Sequence, residues 1–111
     1  MDKKPTIFLL HIADAIKHIE EYIDNYSYQQ FCDDRKTQDA VIRKLEIIGE
    51  ATTNLEDKFK KQNPDIPWRE ISDFRNVLAH EYWDIDLEIV WRTAKEDLVA
   101  LKNALVPFVQ N

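Results

Sequence analysis

The chain is short of the residues that punctuate a fold: among 111 residues there is one glycine, Gly49, and there are four prolines. A many-stranded sheet needs turn residues at every corner, so this scarcity argues against a sandwich or barrel and for long helices. Cysteine is scarcer still. Cys32 stands alone, which excludes an intrachain disulfide and makes a reducing compartment the default. Long apolar runs are also missing. Ile7 to Leu10 follows the basic pair Lys3-Lys4, but His11, Asp14 and Lys17 interrupt it too early for a signal peptide or a membrane span. The expectation is a soluble, cytoplasmic protein with no membrane partner. Positive charge is in deficit, with 15 Lys and Arg against 21 Asp and Glu and a net charge of −6. Affinity for duplex backbones comes mainly from cationic contacts, so the charge argues against a broad, generic DNA-binding surface and leaves room for local contact with a short RNA stretch.

What is present is apolar periodicity. Hydrophobic residues make up 44% of the chain, enough for one respectable core, and no repeat, low-complexity tract or Gly/Ser linker divides it; a single domain over residues 1–111 is expected. At 100° per residue, four amphipathic segments emerge. Leu9, Ile12, Ile16, Ile19 and Ile23 form the first stripe. The second helix is expected from about Thr37 to Lys60, with Val41, Leu45, Ile48, Thr52, Leu55 and Phe59 aligned. After a break at Asn63-Pro64-Asp65-Ile66-Pro67, with Pro67 suited to the first helical position, Trp68, Ile71, Phe74 and Leu78 make the third. Asp84 or Asp86 can cap the fourth, whose stripe is Leu87, Val90, Trp91, Ala94, Leu98, Leu101 and Leu105 and which Pro107 closes. Tyr26 to Asp34 lacks a clear period and reads as a connector with room for one helical turn. The fold class is all-α, an antiparallel up-and-down four-helix bundle. Gly49, inside the second helix, costs roughly 1 kcal/mol against alanine; it reads either as a tolerated weak spot or as a place where a neighbouring helix or a second subunit comes close.

Several polar groups invite a chemical reading. His11, Asp14 and His18 share a face of the first helix, with Glu21 beside them. Yet seven residues span roughly 10 Å of helix, so a solvated or dimer-facing stripe explains them better than a metal ion. Lys58, Lys60 and Lys61 complement a helix C-terminus; a phosphate rail is the alternative. Cys32 has no clear activating cation and reads as structural. No phosphate-binding glycine loop, nucleophile elbow or zinc pattern is present, so neither cofactor nor metal is expected.

The informative stretch is Arg75-Asn76-Val77-Leu78-Ala79-His80-Glu81-Tyr82. An arginine, four residues, a histidine, one residue and a tyrosine resemble the signature of the HepT-like proteins of the HEPN superfamily. Pro67-Trp68-Arg69-Glu70-Ile71 upstream, Asp86-Leu87-Glu88-Ile89-Val90-Trp91 downstream and Ile48-Gly49-Glu50-Ala51 on the second helix are similar to the family's flanking pattern. On an ideal helix Arg75 and His80 stand about 140° apart, Asn76 and His80 share a face, and Tyr82 returns to the arginine's side. The motif therefore straddles two faces, and a symmetric dimer would join two such motifs into one cleft. The resemblance implies such a composite site at a dimer interface.

Metal-free RNA cleavage needs a base for the 2′-hydroxyl proton, an acid for the leaving 5′-oxygen and a cation for the charged phosphorane. His80 suits either proton role near neutral pH, Arg75 can grip phosphate oxygens, and Asn76 can orient His80 or donate to the phosphate. The resemblance further implies a toxin neutralised by a partner MntA-like nucleotidyltransferase antitoxin, which transfers AMP to Tyr82 and so sets negative charge and bulk beside Arg75. The competing reading is a non-catalytic HEPN module that dimerises and docks the nucleotidyltransferase; a further alternative is nucleotide binding by the motif without cleavage. In the plainest reading His80 only complements a helix dipole and Tyr82 is a core aromatic.

Overall fold

The computed structural model describes residues 5–76 and 86–109, with side chains from Ile7 to Arg75 and from Asp86 to Val109. The first helix, α1, covers Pro5–Tyr22. Its predicted stripe is its buried face: Leu9, Ile12, Ile16 and Ile19 are buried, as is Ile23 just beyond its end. Asn25, at φ 63°, then turns the chain in the left-handed region that asparagine tolerates better than most residues.

The connector holds a real element, α2 (Tyr28–Cys32). Ser27 and Gln30 close a reciprocal capping box, with the Ser27 hydroxyl accepting from the Gln30 amide and the Gln30 side chain accepting from the Ser27 amide. The turn carries Phe31 into the core with no exposed surface, 5.2 Å from the Trp91 ring. A side-chain hydrogen bond to Cys32 pushes the Tyr28 phenol up to about 12.

Next, α3 (Arg35–Thr53) is fastened at its start by polar side chains. Asp34 accepts from the Thr37 amide at 3.0 Å, the Thr37 hydroxyl at 2.7 Å and the Tyr26 phenol at 2.6 Å. These bonds, led by that from Tyr26, hold its carboxyl down at about 2. Gln38, buried one turn later, donates to the carbonyls of Phe31 and Cys32.

The second predicted helix is in fact two. α3 stops at Thr53, and α4 (Asp57–Gln62) follows. The reason lies in Thr52, Thr53 and Asn54, whose side chains donate back to the carbonyls of Gly49 and Glu50. Such back-bonding weakens the helical ladder and satisfies a helix end instead. The packing pattern nevertheless survives the break, because Val41, Leu45, Ile48, Thr52, Leu55 and Phe59 are all buried. Lys60 and Lys61 stand in the last turn of α4, where they complement its dipole.

Pro67 sits at the N-cap of α5 (Trp68–Asp73), one position earlier than predicted. The Trp68 indole N–H donates to the carbonyls of Lys60 and Asn63, tying α5 to α4. Beyond Asp73 the chain tightens into a 3-10 turn, Phe74–Asn76. After the undescribed stretch, Asp86 caps α6 (Leu87–Arg92) by accepting from the amides of Glu88 and Ile89. A π-helical turn, Thr93–Asp97, joins it without a break to α7 (Leu98–Val109). Burial raises the Asp97 carboxyl in that turn, Arg92 opposing and Glu96 and Glu70 adding to the shift. Pro107 lies inside α7 rather than ending it. Its ring removes the N–H that would reach the Asn103 carbonyl, and the helix ends two residues further on.

Among the described residues there is no strand. The fold is the all-α arrangement expected: α3 packs against α1 on one side and against α5 with its 3-10 turn on another, and α7 covers α1. Each fully buried Leu or Ile of this seam contributes roughly 1.5–3 kcal/mol. The exposed Lys102–Glu20 pair, 2.9 Å apart, links α7 to α1 and adds little to that.

Candidate active site

The site is built on a missing side chain. A Cβ placed on Gly49 would lie 2.8 Å from the Arg75 amide nitrogen, 2.9 Å from the Ile71 carbonyl oxygen and 3.1 Å from the Ser72 carbonyl oxygen. Gly49 is therefore where α3 lets the backbone of α5 and its 3-10 turn come into direct contact. Of the readings open from sequence, close approach by a neighbouring helix accounts for this glycine. Thr52 and Ser72 pin the same contact with a hydroxyl–hydroxyl hydrogen bond of 3.0 Å.

This contact fixes where Arg75 starts. Its side chain is exposed, and among the described residues it makes no ion pair. It borders a pocket of about 350 Å³ whose other walls come from α1 and α3. From α1 come Phe8 and His11; from α3 come Arg43, Glu46, Ile47, Glu50 and Ala51, with Asn54 at its C-cap. The α3 residues recur at three- and four-residue steps, so one helix face presents them all. Arg43 is paired with Glu46. Asn54 turns its amide N–H to the Glu50 carbonyl at 3.0 Å. The pocket thus carries two guanidinium groups, two carboxylates, an imidazole and an apolar strip.

Of the sequence-predicted residues, Arg75 is placed at the rim of this pocket and Asn76 ends the same 3-10 turn. The Asn76 side chain, His80 and Tyr82 lie outside the described residues. One expectation does change. The angles taken between motif residues assumed an α-helix, but Arg75 and Asn76 stand in 3-10 geometry, near 120° per residue. The His11–Asp14–His18 stripe divides: His11 faces the pocket, while His18 lies against Tyr22 with its Nε2 3.9 Å from Asp14. Among the described residues no cluster of three metal-ligating side chains forms. Lys58, Lys60 and Lys61 do not line the pocket. Sequence reasoning passed over Arg43, Glu46 and Asn54, although their spacing with Glu50 marks the polar face of one helix.

A bundle of this kind, with an arginine presented on a tight turn beside a polar cleft, is consistent with the HEPN class that the motif resembles. A family model described as Ribonuclease HepT-like matches residues 12–107, and the chain belongs to that family. It is 47% identical over 96 residues to a protein named "Probable ribonuclease HepT" from Thermococcus cleftensis, covering 86% of this chain and 87% of that one. Two Methanocaldococcus jannaschii proteins are also similar. One, named "Gamma-glutamylcyclotransferase and putative RNase", is 37% identical over 99% of this chain, which spans 50% of its length. The other, named "Putative RNase", is 36% identical over 86% of this chain and 88% of its own. No solved structure gives a significant match. Among the described residues no helix is long and apolar enough to cross a membrane.

Proposed function

We propose that this chain is a metal-independent endoribonuclease, the toxin half of a two-gene HEPN/MNT module, with residues 1–111 forming one HEPN domain that acts as a cytoplasmic homodimer. The observation that carries the reading is the Arg75 guanidinium, exposed at the rim of a polar pocket and anchored through its backbone by the Gly49 contact. An anchored, exposed guanidinium suits a phosphate in transit, because it gives up no internal partner to bind one. Membership of a ribonuclease family supports the same chemistry. In this reading Arg75 stabilises the phosphorane, His80 moves the protons, and Asn76 orients the imidazole. A second copy supplies the opposite half of the cleft, and its His80 completes the acid–base pair.

Tyr82 is the regulatory residue. The partner nucleotidyltransferase activates the phenol; its oxygen forms a bond to the α-phosphorus of ATP, pyrophosphate leaves, and the phenolic proton passes to a base. The AMP so attached places a negative phosphodiester beside Arg75 and blocks RNA there.

The test is an RNA cleavage assay on nuclease-free protein. Arg75→Ala and His80→Ala are each expected to lower the rate by roughly a hundredfold or more. Wild type that cuts no RNA, or a His80→Ala variant that cuts as fast, sinks the enzymatic reading; tight binding of the nucleotidyltransferase by such an inactive protein would replace it with the docking module. For Tyr82, incubation with the partner and ATP should add the mass of one AMP to wild type and none to Tyr82→Phe. An unchanged wild-type mass would remove the regulatory role.

A further inference from the structure

The pocket behind Arg75 has the wrong charge for a second phosphate. Its two guanidinium groups, Arg43 and Arg75, are matched by two carboxylates, Glu46 and Glu50, and Arg43 is already engaged by Glu46. A phosphate seat carries surplus positive charge and convergent donors. Here the interior offers acceptors beside an apolar strip, with Ile47, Ala51 and Phe8 on the walls. The volume of about 350 Å³ lies within the range of small-ligand pockets. Such a lining suits a nucleobase: apolar contact for its faces, hydrogen-bond acceptors for its edge.

We infer that this pocket is a base-reading subsite for the nucleotide whose phosphate sits on Arg75, and that Glu50 selects guanine there. The inference rests on the ribonuclease reading above for its link to cleavage, though not for binding itself. Glu50 is exposed toward solvent, lines the pocket and makes no ion pair among the described residues, so its carboxylate is available to a ligand. Guanine is the base whose pairing edge presents two adjacent donors, N1–H and N2–H, to the two oxygens of one carboxylate. Uracil presents a single N–H flanked by carbonyl oxygens, which a carboxylate repels. Gly49, the neighbour of Glu50, is also the residue in backbone contact with the Arg75 turn, so one contact sets the spacing between the phosphate group and the base group.

The experiment compares binding of guanosine 3′-monophosphate and uridine 3′-monophosphate by the full chain, by calorimetry and by amide shifts, alongside mapping of cleavage junctions on an RNA containing all four bases. Wild type is expected to prefer guanosine roughly tenfold or more, the discrimination of one bidentate pair, with shifts at Ile47 and Ala51 and with guanosine at the cut junction. Glu50→Gln, an exposed helix position whose folding is checked by its thermal midpoint, should bring the two affinities together. Equal affinities in wild type, a guanosine preference that survives in Glu50→Gln, or shifts confined to other surfaces would overturn the subsite. RNA cut without guanosine at the junction overturns it while leaving the ribonuclease reading intact. Guanosine-selective binding by a protein that cuts no RNA supports the subsite and removes the ribonuclease reading.

Discussion

The two ends of α3 are held by opposite means. At its start the helix is fastened by added polar groups: Asp34 gathers Thr37 and Tyr26, and Gln38 reaches back to the carbonyls of α2. Toward its end it is fastened by a missing group, because only a residue without a Cβ lets the backbone of Ile71, Ser72 and Arg75 lie where it does. The first fastening is local, joining residues close in the chain. The second joins segments more than twenty residues apart and carries the candidate catalytic arginine. Stability can be spent at either end, but function should depend on the second.

That contrast can be broken experimentally. The largest loss of stability is expected from Phe31→Ala at the first end. Phe31 has no exposed surface, and emptying such a site costs about 3–5 kcal/mol. Chemical denaturation would show it, whereas the folded fraction should still cut RNA at close to the normal rate. Loss of cleavage per folded molecule would mean that α2 shapes the site after all.

Gly49→Ala comes next. The new methyl meets backbone, which cannot swing aside, so overpacking of about 1–3 kcal/mol should exceed the gain of roughly 1 kcal/mol in helix propensity. Here cleavage per folded molecule should fall as well, because the Arg75 turn must move. A variant as stable and as active as wild type would show that the contact is slack.

The smallest effect is expected at Asp34, and it depends on pH. Its folded carboxyl lies at about 2 against an ordinary 3.8. A lowered folded value stabilises the native state above about pH 4 and is lost as pH falls through about 2. Asp34→Asn should therefore melt at a lower temperature than wild type at pH 7. The gap between the two should narrow in thermal scans taken from pH 4 down to pH 2. A gap of the same size at both ends of that range would mean that the cap, and not the charge, does the work.

The apolar stripes were legible in the sequence because burial follows a period. Ile12, Ile16 and Ile19, or Leu98, Leu101 and Leu105, announce their face whatever the rest of the chain does. The Asp86 cap was legible for a similar reason, since its partners lie within three residues. The break after Thr53 was not, because the hydrophobic pattern continues across it and the competing side-chain bonds are weak individually. Nor was the 3-10 turn at Phe74–Asn76, which a 3.6-residue period cannot distinguish over three residues. Of the candidate site, Arg75 was readable through its motif, whereas its pocket neighbours Arg43, Glu46 and Asn54 were not.

By itself the sequence determined the helical class, the core positions, the local caps and the motif, for each depends on residues near one another in the chain or on a repeating spacing. Only the tertiary structure decided why Gly49 is glycine, and that Arg75 shares a pocket with Glu50 and His11. Those relations join α1, α3 and the turn after α5. They exist because backbones pack to within a few ångströms, a distance that no periodicity along the chain encodes.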